Sequence, residues 1–358
     1  MPSLFEPIQL GAISCPNRVL MAPLTRTRGT AEHVPTDLMA TYYVQRASAG
    51  LIISEAIGIS RQGLGWPFAT GLWTPAQIQG WRATTDAVHA AGGRIVAQLW
   101  HMGRMVHPSF VDGAAPISSS ATRAPGRAHT YSGRHDYAMA RPLELDEISN
   151  IVDDYRRAAR NAMEAGFDGV QLHAANGYLI DQFLRDNANF RQDRYGGSIE
   201  NRTRLLCEVT DAIVSEVGSG HTSVRLSPNG NSQGVNDSDP APLFTAAARL
   251  LDEIGIAFLE LREPPRDGTL GQGDRDPLAP AIRANFGRPL VLNSDLTPDR
   301  GEDLVRSGQA DAVSFGRLFI SNPDLPQRIA RGLAIADYDR HTFYTQGPEG
   351  YTDYRNAG

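Results

Sequence analysis

The stretch HAANGYLIDQFL brings a histidine, an asparagine and a tyrosine, His173, Asn176 and Tyr178, into one short run. If His173 ends a strand and the chain turns after it, Asn176 at i+3 can aim into the same site as a second hydrogen-bond donor. Two neutral donors meeting at one oxygen stabilise negative charge developing there, and losing one such donor typically costs roughly 2.7 to 4 kcal/mol of transition-state stabilisation. Tyr178, two residues further on, can act as a general acid toward a carbanion-like centre, an effect on the order of 100- to 10,000-fold. Each of these residues alone reads as a packed structural side chain. Their joint spacing points to chemistry.

Other polar residues close short apolar runs elsewhere: Thr25, Glu55 with Ala56, Gln98 with Trp100 and His101, and Arg225. SFGRLF sets Gly316 and Arg317 after one run, and LNSDLT sets Asn293 and Ser294 after another. Small residues and a guanidinium at the ends of the last two strands of an α/β barrel are suited to a phosphate, held by backbone N–H groups and a bidentate arginine. No G-x-G-x-x-G follows the first apolar run, so the expected phosphate does not belong to a Rossmann-type dinucleotide.

Composition removes several alternatives. All 34 basic residues are arginine and none is lysine, which excludes Schiff-base aldolases, pyridoxal phosphate enzymes and P-loop NTPases, all of which need a lysine amine. A net charge of -6 with interspersed signs gives no basic stripe for nucleic acid. Cys15 and Cys207 are far apart in sequence, and no H-x-H or Glu-x-x-His set occurs, so neither disulfides nor a metal site is expected. No run of 18 apolar residues exists and MPSLFEPIQL lacks signal-peptide character, which gives the expectation of a cytoplasmic protein with no membrane partner.

The elements that must position these residues are β-rich apolar runs alternating with amphipathic stretches, the pattern of repeated βα units. The runs are Arg18 to Leu24, Leu51 to Glu55, Arg94 to Leu99, Gly169 to His173, Thr222 to Leu226, Ala257 to Leu261, Pro289 to Leu292 and Ala312 to Phe315. Eight such units predict an α/β fold, a closed (β/α)8 TIM barrel forming one domain over 1–358. Thr74-Pro75, Asp146, Thr297-Pro298 and Asn322-Pro323 read as helix starts, and Gly166 as a helix stop. The first seventeen residues read as a hairpin plugging the N-terminal mouth. The stretch 102–141, rich in Pro, Gly, Ser and His, reads as a capping insertion after strand three, a lid that shapes substrate access. The working residues belong at the opposite, C-terminal face.

The chain resembles the old yellow enzyme family of FMN-dependent ene-reductases. The resemblance rests on NRVLMAPLTR, DLMATYYVQRASAGLIISEA, AQLWHMGR, GFDGVQLHAANGYLIDQFLRD, NFRQDRYGGSIENRTRLL, AVSFGRLFISNPDL and TFYTQGPEGYTDY, which span nearly the whole chain in order. It implies FMN at the C-terminal face, reduced by NADPH or NADH and reoxidised by small molecules with activated C=C bonds, such as α,β-unsaturated carbonyls, maleimides or nitroalkenes. By the same resemblance, Pro23, Leu24 and Thr25 line one side of the flavin, Ala56 and Gln98 meet its pyrimidine edge, and Arg225 sits by N1 and O2. Asn293, Ser294, Gly316 and Arg317 hold the phosphate. His173 and Asn176 bind the substrate oxygen, Tyr178 supplies the proton, and Trp66, Trp100 and Tyr344 shape the substrate pocket. A monomer or homodimer is implied.

Some positions depart from the family's commoner patterns. LNSDLT stands where a Gly-rich turn is frequent, and Trp66-Pro67-Phe68 stands where smaller or Tyr-containing segments are common. Asn rather than His at 176 argues against a preference for nitrate esters, and Thr25 in place of Cys favours the branch resembling the yeast and enterobacterial enzymes. Two readings stay open beside the ene-reductase: the same barrel acting mainly on nitrate esters or nitroaromatics, and a flavin-binding barrel without catalysis.

Overall fold

Eight short strands rich in Val, Ile and Leu pair in parallel and in sequence order until the last meets the first. The computed structural model describes residues 1–269 and 271–357. The strands are β1 (Val19–Met21), β2 (Ile52–Gly58), β3 (Ile95–Trp100), β4 (Gly169–His173), β5 (Thr222–Leu226), β6 (Phe258–Arg262), β7 (Leu290–Asn293) and β8 (Ala312–Phe315). Each is followed by a helix on the outside: α1 (Asp37–Val44), α2 (Pro75–Ala90), α3 (Leu145–Glu164), α4 (Ile199–Val217), α5 (Pro240–Ile254), α6 (Ala279–Arg283), α7 (Pro298–Arg306) and α8 (Leu325–Arg331). This is the (β/α)8 barrel that the alternating pattern predicts.

The helix signals act as their chemistry requires. Thr74 caps α2 by accepting from the Gln77 N–H at 3.3 Å, while the Gln77 side chain accepts from the Thr74 N–H at 3.1 Å. Along α3, Ile148, Ile151, Tyr155, Ala158, Ala159 and Ala162 are buried on one face, and Gly166 follows with φ 83°, a left-handed turn suited to glycine. Asn322-Pro323 does not open the last helix: Asn322 closes a short helix, Arg317–Ser321, and α8 starts after Asp324. The Asp324 carboxylate there accepts from Arg328 Nε at 2.7 Å.

At the N-terminal mouth, strands Ile8–Leu10 and Ile13–Cys15 form an antiparallel hairpin. Leu10, Ile13 and Cys15 pack on Leu20, Leu51, Val96 and Phe258 and seal that end with apolar surface. The hairpin's turn must be glycine: a Cβ on Gly11 would lie 2.4 Å from the Gly220 carbonyl oxygen, and its φ is 61°. At the other end, the insertion after β3 carries two short 3-10 turns, a parallel pairing of Ile117–Ser118 with Arg141–Pro142, and a hairpin of Arg127–Thr130 with Gly133–Asp136. Its root is fixed by Gln182, whose Oε1 accepts from the Arg104 N–H at 3.1 Å and from Ser118 Oγ at 2.8 Å.

Candidate active site

One cavity of about 710 Å3 opens at the C-terminal ends of the strands; the catalytic, cofactor and pocket residues expected from the resemblance line it, whereas the strand-end residues Glu55 and His101 do not. From β1 and β2 come Pro23, Leu24, Thr25 and Ala56; from β3 to β5, Gln98, Trp100, His173, Asn176, Tyr178 and Arg225. Asn293, Ser294, Gly316 and Arg317 arrive from β7 and β8, while Trp66 and Tyr344 stand at the rim. The volume lies within the range of about 300 to 1,000 Å3 usual for ligand sites.

The turn after β4 aims three side chains into this space. Asn176 and Gly177 take consecutive left-handed conformations, with φ 58° and 79°, and asparagine is among the few side chains that tolerate this. The Asn176 N–H donates to Ser227 Oγ at 2.8 Å and the Gly177 N–H to the Asp181 carboxylate at 2.9 Å, which fixes the turn. His173 Nδ1 accepts from the Ala175 N–H at 3.4 Å, which leaves Nε2 as the proton-bearing nitrogen of the neutral ring. Burial, reinforced by the Arg225 and Arg262 charges, holds this imidazole well below its ordinary range, so it is an uncharged donor at neutral pH. Tyr178 stands edge-on between Trp100 and His173, with ring centroids 5.0 and 4.9 Å away. Burial pushes its phenol upward, so the proton stays on the oxygen.

Period-2 alternation in the strands carries further polar groups inward, and these the reading of strand ends missed. Gln98 Nε2 donates to Gln171 Oε1 at 2.8 Å, and Gln171 Nε2 donates to Glu260 Oε2 at 3.1 Å. Glu260 also accepts from Ser314 Oγ at 2.6 Å and pairs with Arg225 at 3.5 Å. Arg225 Nη2 donates in turn to Asn293 Oδ1 at 2.7 Å. A buried chain therefore links the Gln98 edge of the cavity to Arg225. Glu55, the one acidic strand end seen in the sequence, plays no part in it. A register shift between Ile53 and Ala56 puts Ala56 opposite Gln98, while Glu55 faces Tyr43, Arg26 and Arg28 outside the barrel interior. Arg262, at the end of β6, also lines the cavity, and its Nη1 donates to Ser232 Oγ at 3.4 Å. The pairs Gln171/His173, Ser223/Arg225 and Glu260/Arg262, each two residues apart in a strand, were the signal for this inner face.

At the phosphate-suited end, Arg317 is ion-paired with Asp295 and donates to Tyr338 Oη at 2.9 Å. Ser294 and Asp295 have φ of 122° and 46°, so LNSDLT adopts the glycine-like backbone with other residues. On the opposite rim, Trp66 stacks on His129 of the insertion's hairpin with centroids 4.8 Å apart and planes at 27°, and Tyr344 lies 5.5 Å from Trp66. The insertion contributes no described residue to the cavity lining. It buttresses the aromatic rim from behind instead of closing over the site. Among the described residues, no group of three or more His, Cys, Asp or Glu is placed to hold a metal ion, and no helix is long and apolar enough to cross a membrane.

Comparison with known proteins agrees with this geometry. The model of the NADH:flavin oxidoreductase / NADH oxidase family matches residues 3–335. A flavin oxidoreductase of Emericella nidulans, hxnT, is 42% identical, the match covering 98% of this chain and 97% of the relative. A putative 12-oxophytodienoate reductase of Oryza sativa is 42% identical over 98% of this chain and 92% of its own. Among solved structures, the old yellow enzyme homologue from Zymomonas mobilis superposes with a TM-score of 0.98 at 55% identity, covering 99% of this chain and 100% of the other. Morphinone reductase in complex with tetrahydroNAD superposes with a TM-score of 0.94 at 43% identity, covering 100% and 98%.

Proposed function

This chain belongs to the NADH:flavin oxidoreductase / NADH oxidase family, as an old yellow enzyme with FMN as cofactor, and we propose that it reduces electron-poor C=C bonds at the expense of a reduced nicotinamide. The substrates would be α,β-unsaturated carbonyls, maleimides or nitroalkenes.

The cavity fits the cofactor. Arg225 Nε is a buried side-chain donor without a partner among the described residues. Such an atom is costly unless a ligand satisfies it. Gly316 leaves open the space that a Cβ would take 3.3 Å from Leu24. In this reading Thr25, Ala56, Gln98 and Arg225 would hold the ring, with Pro23 and Leu24 along one side, and the Arg225 guanidinium would stabilise negative charge on it. Asn293, Ser294, Gly316 and Arg317 would hold the phosphate. When bound, FMN supplies the two-electron chemistry, storing a hydride equivalent between donor and acceptor.

The residues of the chain supply the rest. His173, through its Nε2–H, and Asn176, through its amide, would bind the acceptor's carbonyl or nitro oxygen and draw electron density toward it. That polarises the alkene so that hydride adds at Cβ and a proton is needed at Cα. Tyr178 would give up its phenolic proton there and recover one from solvent, so one hydride and one proton add across the double bond. Trp66, Trp100 and Tyr344 would flank the acceptor and exclude water. The observation that carries the reading is the edge-on pairing, at one cavity wall, of Tyr178 with a His173 whose Nδ1 accepts from the Ala175 N–H. The test is the visible spectrum of the purified protein followed by anaerobic titration with NADPH and then with an enone or a maleimide. A colourless protein that takes up no FMN, or a reduced flavin that no activated alkene reoxidises, would refute it.

A further inference from the structure

The segment Arg26-Thr27-Arg28 follows β1 and is buried; Arg26 is its one member in the cavity lining, and the segment spends its donors on a distant part of the chain. Arg28 Nε donates to the Gly347 carbonyl at 3.3 Å, and Nη1 to the Phe343 carbonyl at 2.9 Å. Its Nη2 reaches the Thr342 and Glu349 carbonyls, both at 3.1 Å, and Thr345 Oγ1 at 3.0 Å. Arg26 adds bonds to the carbonyls of Phe343 at 3.0 Å and Gly350 at 2.7 Å. Thr27 Oγ1 donates to the Tyr344 carbonyl at 3.1 Å, and Gln346 Nε2 returns a bond to the Thr27 carbonyl.

Residues 342–350 thus form a loop with a guanidinium as its core. The loop's ends touch: a Cβ on Gly350 would meet Thr342 Oγ1 at 1.9 Å. Tyr351 anchors the exit, stacked on Tyr42 at 4.1 Å and covered by Arg28 at 4.6 Å from its centroid. Only a rigid planar fork of donors can serve so many backbone oxygens at once; a lysine ammonium has three donors and no such plane. What the loop presents to the cavity is Phe343 and Tyr344. Tyr344 is itself 53% exposed, so burial does not hold it in place.

We infer that Arg28 is a positioning residue: by gripping the loop 342–350 it fixes the aromatic wall of the acceptor pocket and so sets which acceptors fit. The inference rests on the proposed ene-reductase reading, and it concerns discrimination between acceptors, not the reacting groups. Arg28 itself does not line the cavity.

Maleimide and N-phenylmaleimide share one reacting double bond and differ in a ring that needs a wall, so the pair reads the effect. Arg28→Gln should retain FMN and keep kcat/KM for maleimide within about twofold, while KM for N-phenylmaleimide rises about five- to tenfold, the equivalent of losing one aromatic contact. Tyr344→Ala should raise KM for N-phenylmaleimide at least as much, and the double variant should be no worse on that acceptor than Tyr344→Ala alone. Additive losses, or equal losses on both acceptors, overturn the inference. If Arg28→Gln does not fold, Thr27→Ala cuts the single bond to the Tyr344 carbonyl and should shift selectivity the same way, with Thr27→Ser restoring it. Amide hydrogen exchange over 342–350 separates this inference from the activity it rests on. Exchange should rise in the folded variant even if the wild-type protein reduces neither maleimide, and unchanged exchange refutes the clamp.

Discussion

The phenol ring of Tyr178 meets the imidazole of His173 edge-on, with centroids 4.9 Å apart and planes at 82°. The two groups share one cavity wall but differ in chemistry, since one can lose a proton to carbon and the other can only polarise an oxygen. Tyr178→Phe should therefore leave anaerobic flavin reduction by NADPH nearly intact and slow reoxidation by an enone by about 100- to 10,000-fold. Stopped-flow traces of the two half-reactions give the answer, and an equal loss in both removes Tyr178 as the proton donor.

His173→Ala should weaken the binding of phenolic ligands by about 10- to 100-fold, the value of a hydrogen bond to a charged oxygen. Titration with the phenol, followed in the visible spectrum of the flavin, measures this. Because burial and two neighbouring arginines keep the ring neutral, enone reduction should show no histidine titration between pH 6 and 8. A pH profile with an inflection near 6.5 that vanishes in His173→Asn would show that the ring is charged when it works.

Arg225 and Glu260 form a buried pair. Removing the guanidinium strands a carboxylate in the barrel interior, so Arg225→Met should cost about 3 to 5 kcal/mol in urea unfolding. Adding Glu260→Gln should recover most of that stability without restoring tight FMN binding. Recovery of both would mean that Arg225 matters only as a counter-ion.

Asp295 is ion-paired with Arg317, the guanidinium proposed to hold the phosphate. Asp295→Asn should tighten FMN binding to the apoprotein by about five- to thirtyfold, since a nearby carboxylate both competes for Arg317 and repels a dianion. Fluorescence titration of the apoprotein measures it, and weaker binding would mean that Asp295 serves to orient Arg317.

Burial holds the Glu55 carboxyl up at about 8, against the pull of Arg26 and Arg28, from an ordinary value of 4.5. Across that window the folded chain keeps a proton that the unfolded chain releases, so the stability this group contributes is full below 4.5 and is lost as pH rises through about 8. Glu55→Gln should flatten the fall in stability between pH 5.5 and 8 by on the order of 1 to 3 kcal/mol. Parallel urea-midpoint slopes for the two proteins would contradict this.

The repeating units were legible because βα alternation is written in local pattern: each of the eight runs holds one barrel strand, with ends displaced by a few residues. Site residues at strand ends were legible for the same reason, since a parallel barrel gathers all its carboxyl ends on one face. Gln171, Glu260 and Arg262 were not, because a polar residue inside an apolar run signals its direction only once the phase of the strand is known. Glu55 shows how that phase slips. The role of the insertion was hidden too: a long polar loop looks the same whether it covers a cavity or props a wall, and only the stacking of His129 on Trp66 tells them apart. The link from Arg28 to Gly347 and Glu349 spans most of the chain and leaves no local trace.

The extra residue in β2 has a consequence for how such a rim can evolve. Ile53 faces Val96 and Ala56 faces Gln98, one step more than the partner strand takes. Deleting Ala56 alone would restore even pairing, with Ile57 still opposite Leu99, and set the Glu55 carboxyl opposite Gln98 at the place now held by a methyl group. A neutral edge would become an anionic one with no side chain exchanged. The barrel can thus invert the polarity of this stretch through its count of residues alone, a route that a survey of substitutions would never sample.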